Sequence, residues 1–156
     1  MEFDAASMAT LGGALALIGG LIGSSIGIAK AASAGTATLA EEPGQFRNVL
    51  VLASLPMTQS FYGLIVLILI ITSVVPKVTA TGAGGFAVLG IGLIATGAEF
   101  FSAIYQGLVC ASGISLLPKT RGQIFASSMM LAVFVELLGV LGLVFTIMAL
   151  TMLGLM

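Results

Sequence analysis

Charge is scarce in this chain. Five Lys or Arg and six Asp or Glu are spread over 156 residues, 7% of the total. A water-soluble domain covers its surface with roughly a quarter charged residues. This sequence cannot, and with 59% hydrophobic residues and a mean hydropathy of +1.24 its solvent is lipid. Histidine and tryptophan are missing altogether, whereas glycine numbers 21. Small residues let lipid-embedded helices approach closely. The lone Cys110 excludes an internal disulfide and leaves the redox compartment unread. No basic run points to nucleic acid. The chain also lacks a Gly-rich phosphate loop ending in Lys-Ser/Thr, so it hydrolyses no nucleotide itself. The opening Met1-Glu2-Phe3-Asp4 is acidic, whereas a cleavable signal peptide begins with basic residues. The first hydrophobic segment is therefore expected to be retained.

About 20 apolar residues span a bilayer as a helix. Four stretches are long enough: Ala6 to Leu39, Val49 to Val75, Gly84 to Leu117 and Ile124 to Leu153. Breaks are expected at Glu41-Glu42-Pro43-Gly44, at Pro76-Lys77 and at Pro118-Lys119-Thr120-Arg121-Gly122, where charge meets Pro or Gly. The fold expected is an all-α membrane protein of four transmembrane helices with both termini on one side. Arg47, Lys119 and Arg121 fall at the first and third loops and Lys77 alone at the second. The positive-inside rule puts the first and third loops in the cytoplasm of a multi-pass cell-membrane protein.

The halves align without a gap. Gly35 and Gly113, Gly44 and Gly122, Gln45 and Gln123, and Ser24 and Ser102 are each 78 positions apart. So are Leu11-Gly12 and Leu89-Gly90, Leu15 and Leu93, and Gly19 and Gly97. This register predicts two duplicated helical hairpins of the same orientation, residues 1–78 and 79–156. At that offset Thr58 stands where Glu136 stands in the second copy, so only one hairpin carries a charge.

Glu136 is the central residue of this reading. It lies in Leu131-Ala-Val-Phe-Val-Glu136-Leu-Leu, 14 residues past Gly122. That is roughly 21 Å into the helix. A mid-membrane carboxylate costs about 2.5–3.5 kcal/mol on insertion scales and is functional by default. Oxygen-bearing companions occur at matching depth: Thr58, Gln59 and Tyr62 on the second helix, and Gln106 on the third. Each alone is ordinary interhelical glue. Their coincidence in depth with a carboxylate favours a site. Pro56, without an N–H, frees a carbonyl one turn back. Hard cations take oxygen ligands, and one carboxylate neutralises one monovalent ion such as Na+. Lys30 either snorkels or lines a lumen. Glu99, seven residues before Gln106 on nearly the same face, is a second ion step, an exit-side group or, on the reading favoured, a neutral hydrogen-bonded acid. Gly19, Gly23, Gly27, Ala31 and Gly35 form a smooth stripe, serving packing inside the hairpin or the crowded inner wall of a ring.

Leu55-Pro56-x-Thr58-Gln59-x-x-Tyr62-Gly63, Gln106-Gly107 and Glu136 together resemble the proteolipid (K or c) subunit of V-type rotary ATPases, most closely the sodium-translocating bacterial form. The resemblance covers essentially the whole chain. It implies that the backbone carbonyl of Leu55, Thr58, Gln59, Gln106 and Glu136 hold Na+, and that Tyr62 hydrogen-bonds the carboxylate. It also implies an oligomeric ring of identical subunits. A stator membrane subunit would offer an arginine, and central-stalk subunits would link the ring to the cytoplasmic ATPase head. Met57, usually a small residue in sodium-type relatives, and Glu99 depart from the pattern without removing a ligand. Other readings stay open: the same rotor carrying H+, a small four-helix proton-coupled cation exporter, and a structural pore-forming bundle. An exporter would need aromatic faces for cation–π contact, and the chain offers only Tyr62, Tyr105 and scattered Phe.

Overall fold

Glycine and proline set the helix ends and bends in the computed structural model, which describes residues 4–156. Of the acidic N-terminal stretch only Asp4 falls among the described residues. Four helices are present: α1 (Ala5–Glu41), α2 (Pro43–Thr81), α3 (Gly85–Thr120) and α4 (Phe125–Met152). All four are long and apolar enough to cross a membrane. Asp4 caps α1, its Oδ1 accepting the Ser7 N–H at 2.7 Å. Hydrogen bonding from Ser7 holds the Asp4 carboxyl below its usual range. This small contribution is present above the unfolded-state pKa and is lost as pH falls through the folded value.

One of the expected breaks falls elsewhere, and the third comes at the far end of its expected stretch. Pro76 does not end α2, which runs on to Thr81. Proline is tolerated in the first turn of a helical segment, and a π stretch over Ile70–Val74 precedes it. The helix stops instead at Gly82, whose φ of 67° suits a left-handed C-terminal position. Pro118 likewise sits inside the last turn of α3. The turn comes at Arg121 and Gly122, with φ of 52° and 83°. Gly122 N–H closes the helix on the Leu117 carbonyl at 2.9 Å.

Pro118 has a further effect. It cannot donate to Ile114, four residues back, so that carbonyl is left free. The buried Thr38 hydroxyl of α1 donates to it at 3.0 Å. A proline in one helix thereby creates the tie to another. Thr38→Val keeps the shape and orphans the Ile114 carbonyl. We expect a loss of about 1–3 kcal/mol, read as a lower thermal midpoint of the assembled protein in detergent.

The glycine stripe of α1 packs chiefly across the molecule rather than within the first hairpin. Cβ atoms added at Gly19 and Gly23 would lie 2.9 Å from Thr96 Cα and 2.8 Å from Phe100 Cα on α3, and one at Gly27 would meet the Ala103 carbonyl. A second face, including Gly20, backs onto α2 at Gln59, and Gly35 backs onto Val49. Thus α1 and α3 form the tight centre, with α2 and α4 applied to it. Large side chains such as Phe101, Phe134, Leu138 and Phe145 point outward and are exposed. That suits lipid or further subunits. The first and third loops share one end, where a Cβ at Gly122 would lie 3.2 Å from both Asn48 Nδ2 and Gln45 Oε1. The second loop lies with the chain ends at the other, Gly85 abutting Ala5 and Gly84 facing Leu155.

Candidate ion-binding site

The site begins at Pro56. Without its N–H the helix tightens into a 3₁₀ turn at Leu55–Met57, and Thr58 N–H then bonds the Leu55 carbonyl. The Thr58 hydroxyl lies 3.3 Å from that carbonyl and 3.1 Å from Gln59 Oε1. Three oxygens of α2 are thus grouped within one turn. Met57 points outward and is exposed, so its bulk does not enter this group.

From there a chain of hydrogen bonds crosses the bundle. Gln59 Nε2 donates to Gln106 Oε1 of α3 at 2.9 Å and to Ser102 Oγ at 3.0 Å. Gln106 Nε2 donates to Glu136 Oε2 of α4 at 3.2 Å. The other carboxylate oxygen accepts the Tyr62 hydroxyl at 3.1 Å, as the spacing of Tyr62 one turn after Thr58 allows. Gln59 and Gln106 are fully buried, whereas Glu136, Thr58 and Tyr62 are half-buried. Glu136 therefore faces outward from a buried amide lattice. Its half-exposure leaves it reachable from the edge of the subunit, with the amides buried behind it. With the amides oriented this way Gln106 presents nitrogen to Glu136. An ion between them would require the Gln106 oxygen to face inward, a rotation of the amide plane that interchanges its O and N.

Leu55, Thr58, Gln59, Tyr62, Gln106 and Glu136, the residues expected at the ion site, thus lie in one connected group. Sequence reading missed Ser102. Its hydroxyl accepts from Gln59 and donates to the Val135 carbonyl at 3.0 Å, tying α3 to α4. The signal was there, since Ser102 lies four residues before Gln106, on the same helical face. The hydrogen bond expected of Glu99 is not made. The residue is fully buried, but neither carboxyl oxygen has a hydrogen-bond partner among the described residues. Lys30 is exposed on α1, as a snorkelling side chain would be.

The comparisons with known proteins show the family. The family model for the C subunit of ATP synthase matches residues 11–70 and 89–149. The chain belongs to this family. It is similar to the V-type sodium ATPase subunit K of Enterococcus hirae, 34% identical over 132 residues, covering 81% of this chain and 80% of that one. It is also similar to the A-type ATP synthase subunit K of Methanocaldococcus jannaschii, 33% identical over 148 residues, 94% of this chain and 63% of that one. The protein is a multi-pass, non-catalytic, ion-translocating component of an ATPase rotor, of a family whose members form oligomeric rings.

Removing the Tyr62 hydroxyl isolates its part. Tyr62→Phe deletes one hydrogen bond to a charged acceptor, worth about 1.5 kcal/mol or more. We expect cation affinity at Glu136 to fall roughly tenfold, measured as the cation concentration that half-protects Glu136 from carbodiimide.

Proposed function

We propose that each protomer binds one Na+ at Glu136 and carries it as the ring rotates, coupled to ATP hydrolysis or synthesis in a cytoplasmic head. The ligands would be the Leu55 carbonyl, Thr58, Gln59, Gln106 and Glu136, with Tyr62 holding the carboxylate. The observation that carries this reading is the unbroken hydrogen-bonded path from the Thr58 oxygen cluster through Gln59 and Gln106 to Glu136. A proton needs only the carboxyl. A metal ion needs several oxygens, and the donor set here is neutral apart from one carboxylate, which suits a monovalent hard cation. The name of the Enterococcus relative, a sodium ATPase subunit, points the same way.

In this mechanism the loaded site is neutral and passes through lipid without the cost of a bare charge. At the stator an arginine displaces the ion by pairing with Glu136, and departure from the stator lets the next ion load. Central-stalk subunits transmit the rotation. The first and third loops would face the cytoplasm, where Arg47, Lys119 and Arg121 lie. We also assign the halves 1–78 and 79–156 to a duplication. The two family-matched stretches begin 78 positions apart, which supports it.

The test is carbodiimide labelling of the purified protein with and without Na+, mapped by mass spectrometry. Modification of Glu136 that Na+ suppresses at fixed pH is the expected result. Modification that follows pH and ignores Na+ would make this a proton rotor. Migration as a large, detergent-resistant oligomer separates a ring from an exporter dimer.

A further inference from the structure

Glu99 is the ionisable side chain inside the bundle that the Glu136 site leaves unused. It sits on α3, one turn before Ser102 and two before Gln106, fully buried and with both oxygens unpartnered among the described residues. It packs against two glycines of α4, whose missing side chains make room for it. A Cβ added to Gly139 would lie 2.9 Å from Glu99 Oε2 and 3.1 Å from Ser102 Oγ. One added to Gly142 would lie 3.6 Å from Glu99 Oε1. Glu99 and Ser102 therefore lie against the same glycine, Gly139, one turn beyond Glu136 along α4.

No basic side chain answers this carboxyl, because all five Lys and Arg residues are exposed. The other ionisable groups of the packed helices near this depth are Tyr62 of α2 and Glu136 of α4, and Tyr62 is already bonded to Glu136. An unpaired carboxylate buried here would cost several kcal/mol, so the group requires a small cation. Ser102 completes the set. Its O–H is spent on the Val135 carbonyl and one lone pair on Gln59, which leaves one lone pair to accept. A groove of about 530 Å³ between α3 and α4, lined by Ala98, Phe101, Ser102, Tyr105, Val135 and Leu138, opens beside that hydroxyl.

We propose that Glu99, with Ser102, forms a second site for a monovalent cation in each protomer, distinct from the Glu136 site. Three oxygens enclose a metal ion poorly but suffice for a proton held on Glu99, which a rotation of the carboxyl would let it donate to Ser102 Oγ, a bond absent from this structure. Every copy of the rotor protein then holds two cations, one exchanged at its edge and one kept inside. The count of Na+ at Glu136 rests on the proposed function above, whereas the Glu99 site does not.

The experiment combines radioactive-Na+ binding to the purified ring with infrared spectroscopy of its protonated-carboxyl stretch at neutral pH. At saturating Na+ we expect one Na+ per protomer and a protonated-carboxyl band that Na+ does not remove. That band should vanish in Glu99→Gln and shift in Ser102→Ala. Two Na+ per protomer, halved in Glu99→Gln, would support the site with Na+ as its occupant. One Na+ and no surviving band in the unmutated ring would leave Glu99 a bare anion and overturn the proposal. This last reading needs no variant to fold. If no Na+ binds at all, the sodium reading of Glu136 fails. The same band, recorded in Glu136→Gln, still decides Glu99.

Discussion

Glu136→Gln is expected to abolish cation transport while leaving the ring assembled. The substitution keeps the side chain's volume, and its amide oxygen can still accept from Tyr62, now 3.1 Å from the carboxylate. What it removes is the one negative charge that balances the cation. Leaving a partly buried cation without its counter-charge costs about 3–5 kcal/mol, or roughly two to three and a half orders of magnitude in affinity. Radioactive-Na+ binding to the purified ring should therefore fall below detection at concentrations that saturate the unmutated protein. ATP-driven uptake into vesicles should fall to background. The repeat sharpens the prediction. Thr58 occupies in the first half the place of Glu136 in the second, so no spare carboxylate exists at that register and the loss should be complete rather than half. Binding retained within tenfold, with the ring intact, would show that Glu136 is not the residue that holds the ion.

The four spans and the depth of the polar residues were legible because both rest on composition and on simple helix rise. Apolar length fixes a span, and 1.5 Å per residue fixes depth. The ends were less legible. Pro76 read as a break because proline interrupts helices, yet it sits where its missing N–H is tolerated and the turn comes at Gly82, whereas the third turn falls inside its expected stretch, at Arg121 and Gly122. The grouping of Thr58, Gln59, Gln106, Tyr62 and Glu136 could be inferred from shared depth. Which partner each amide chooses could not, because that depends on the rotation of each helix about its axis. The seat that Gly139 and Gly142 make for Glu99 was hidden as well. A missing side chain on one helix gives no signal on the helix it faces. The α1 stripe shows a related limit. Spacing of four marks a packing face but does not name the neighbour, which is mainly α3 rather than α2.

That stripe supports the second large effect, at Gly107. Gly107 of α3 and Gly27 of α1 cross backbone to backbone, and a Cβ on Gly107 would collide with the Gly27 Cα and carbonyl. A clash with a flexible side chain relaxes by rotation. A clash with main chain relaxes only if the helices separate, and in lipid that separation forfeits the close packing that holds them together. A single methyl, Gly107→Ala, should therefore cost about 3 kcal/mol, at the upper end of overpacking penalties. The cost would appear as a sharp drop in folded protein recovered from membranes and a lower thermal midpoint. Gly97→Ala on the same helix is the control, since nothing lies within 4 Å of its added Cβ. Alanine is the better helix former by about 1 kcal/mol, so that variant should be neutral or slightly stabilised. The displacement at Gly107 would also move its neighbour Gln106, whose Nε2 lies 3.2 Å from Glu136. Any Gly107→Ala protein that does fold should then bind its cation more weakly, while the Gly97 variant should not. If the two variants behaved alike, the α1–α3 crossing would not be the tight centre that positions the site.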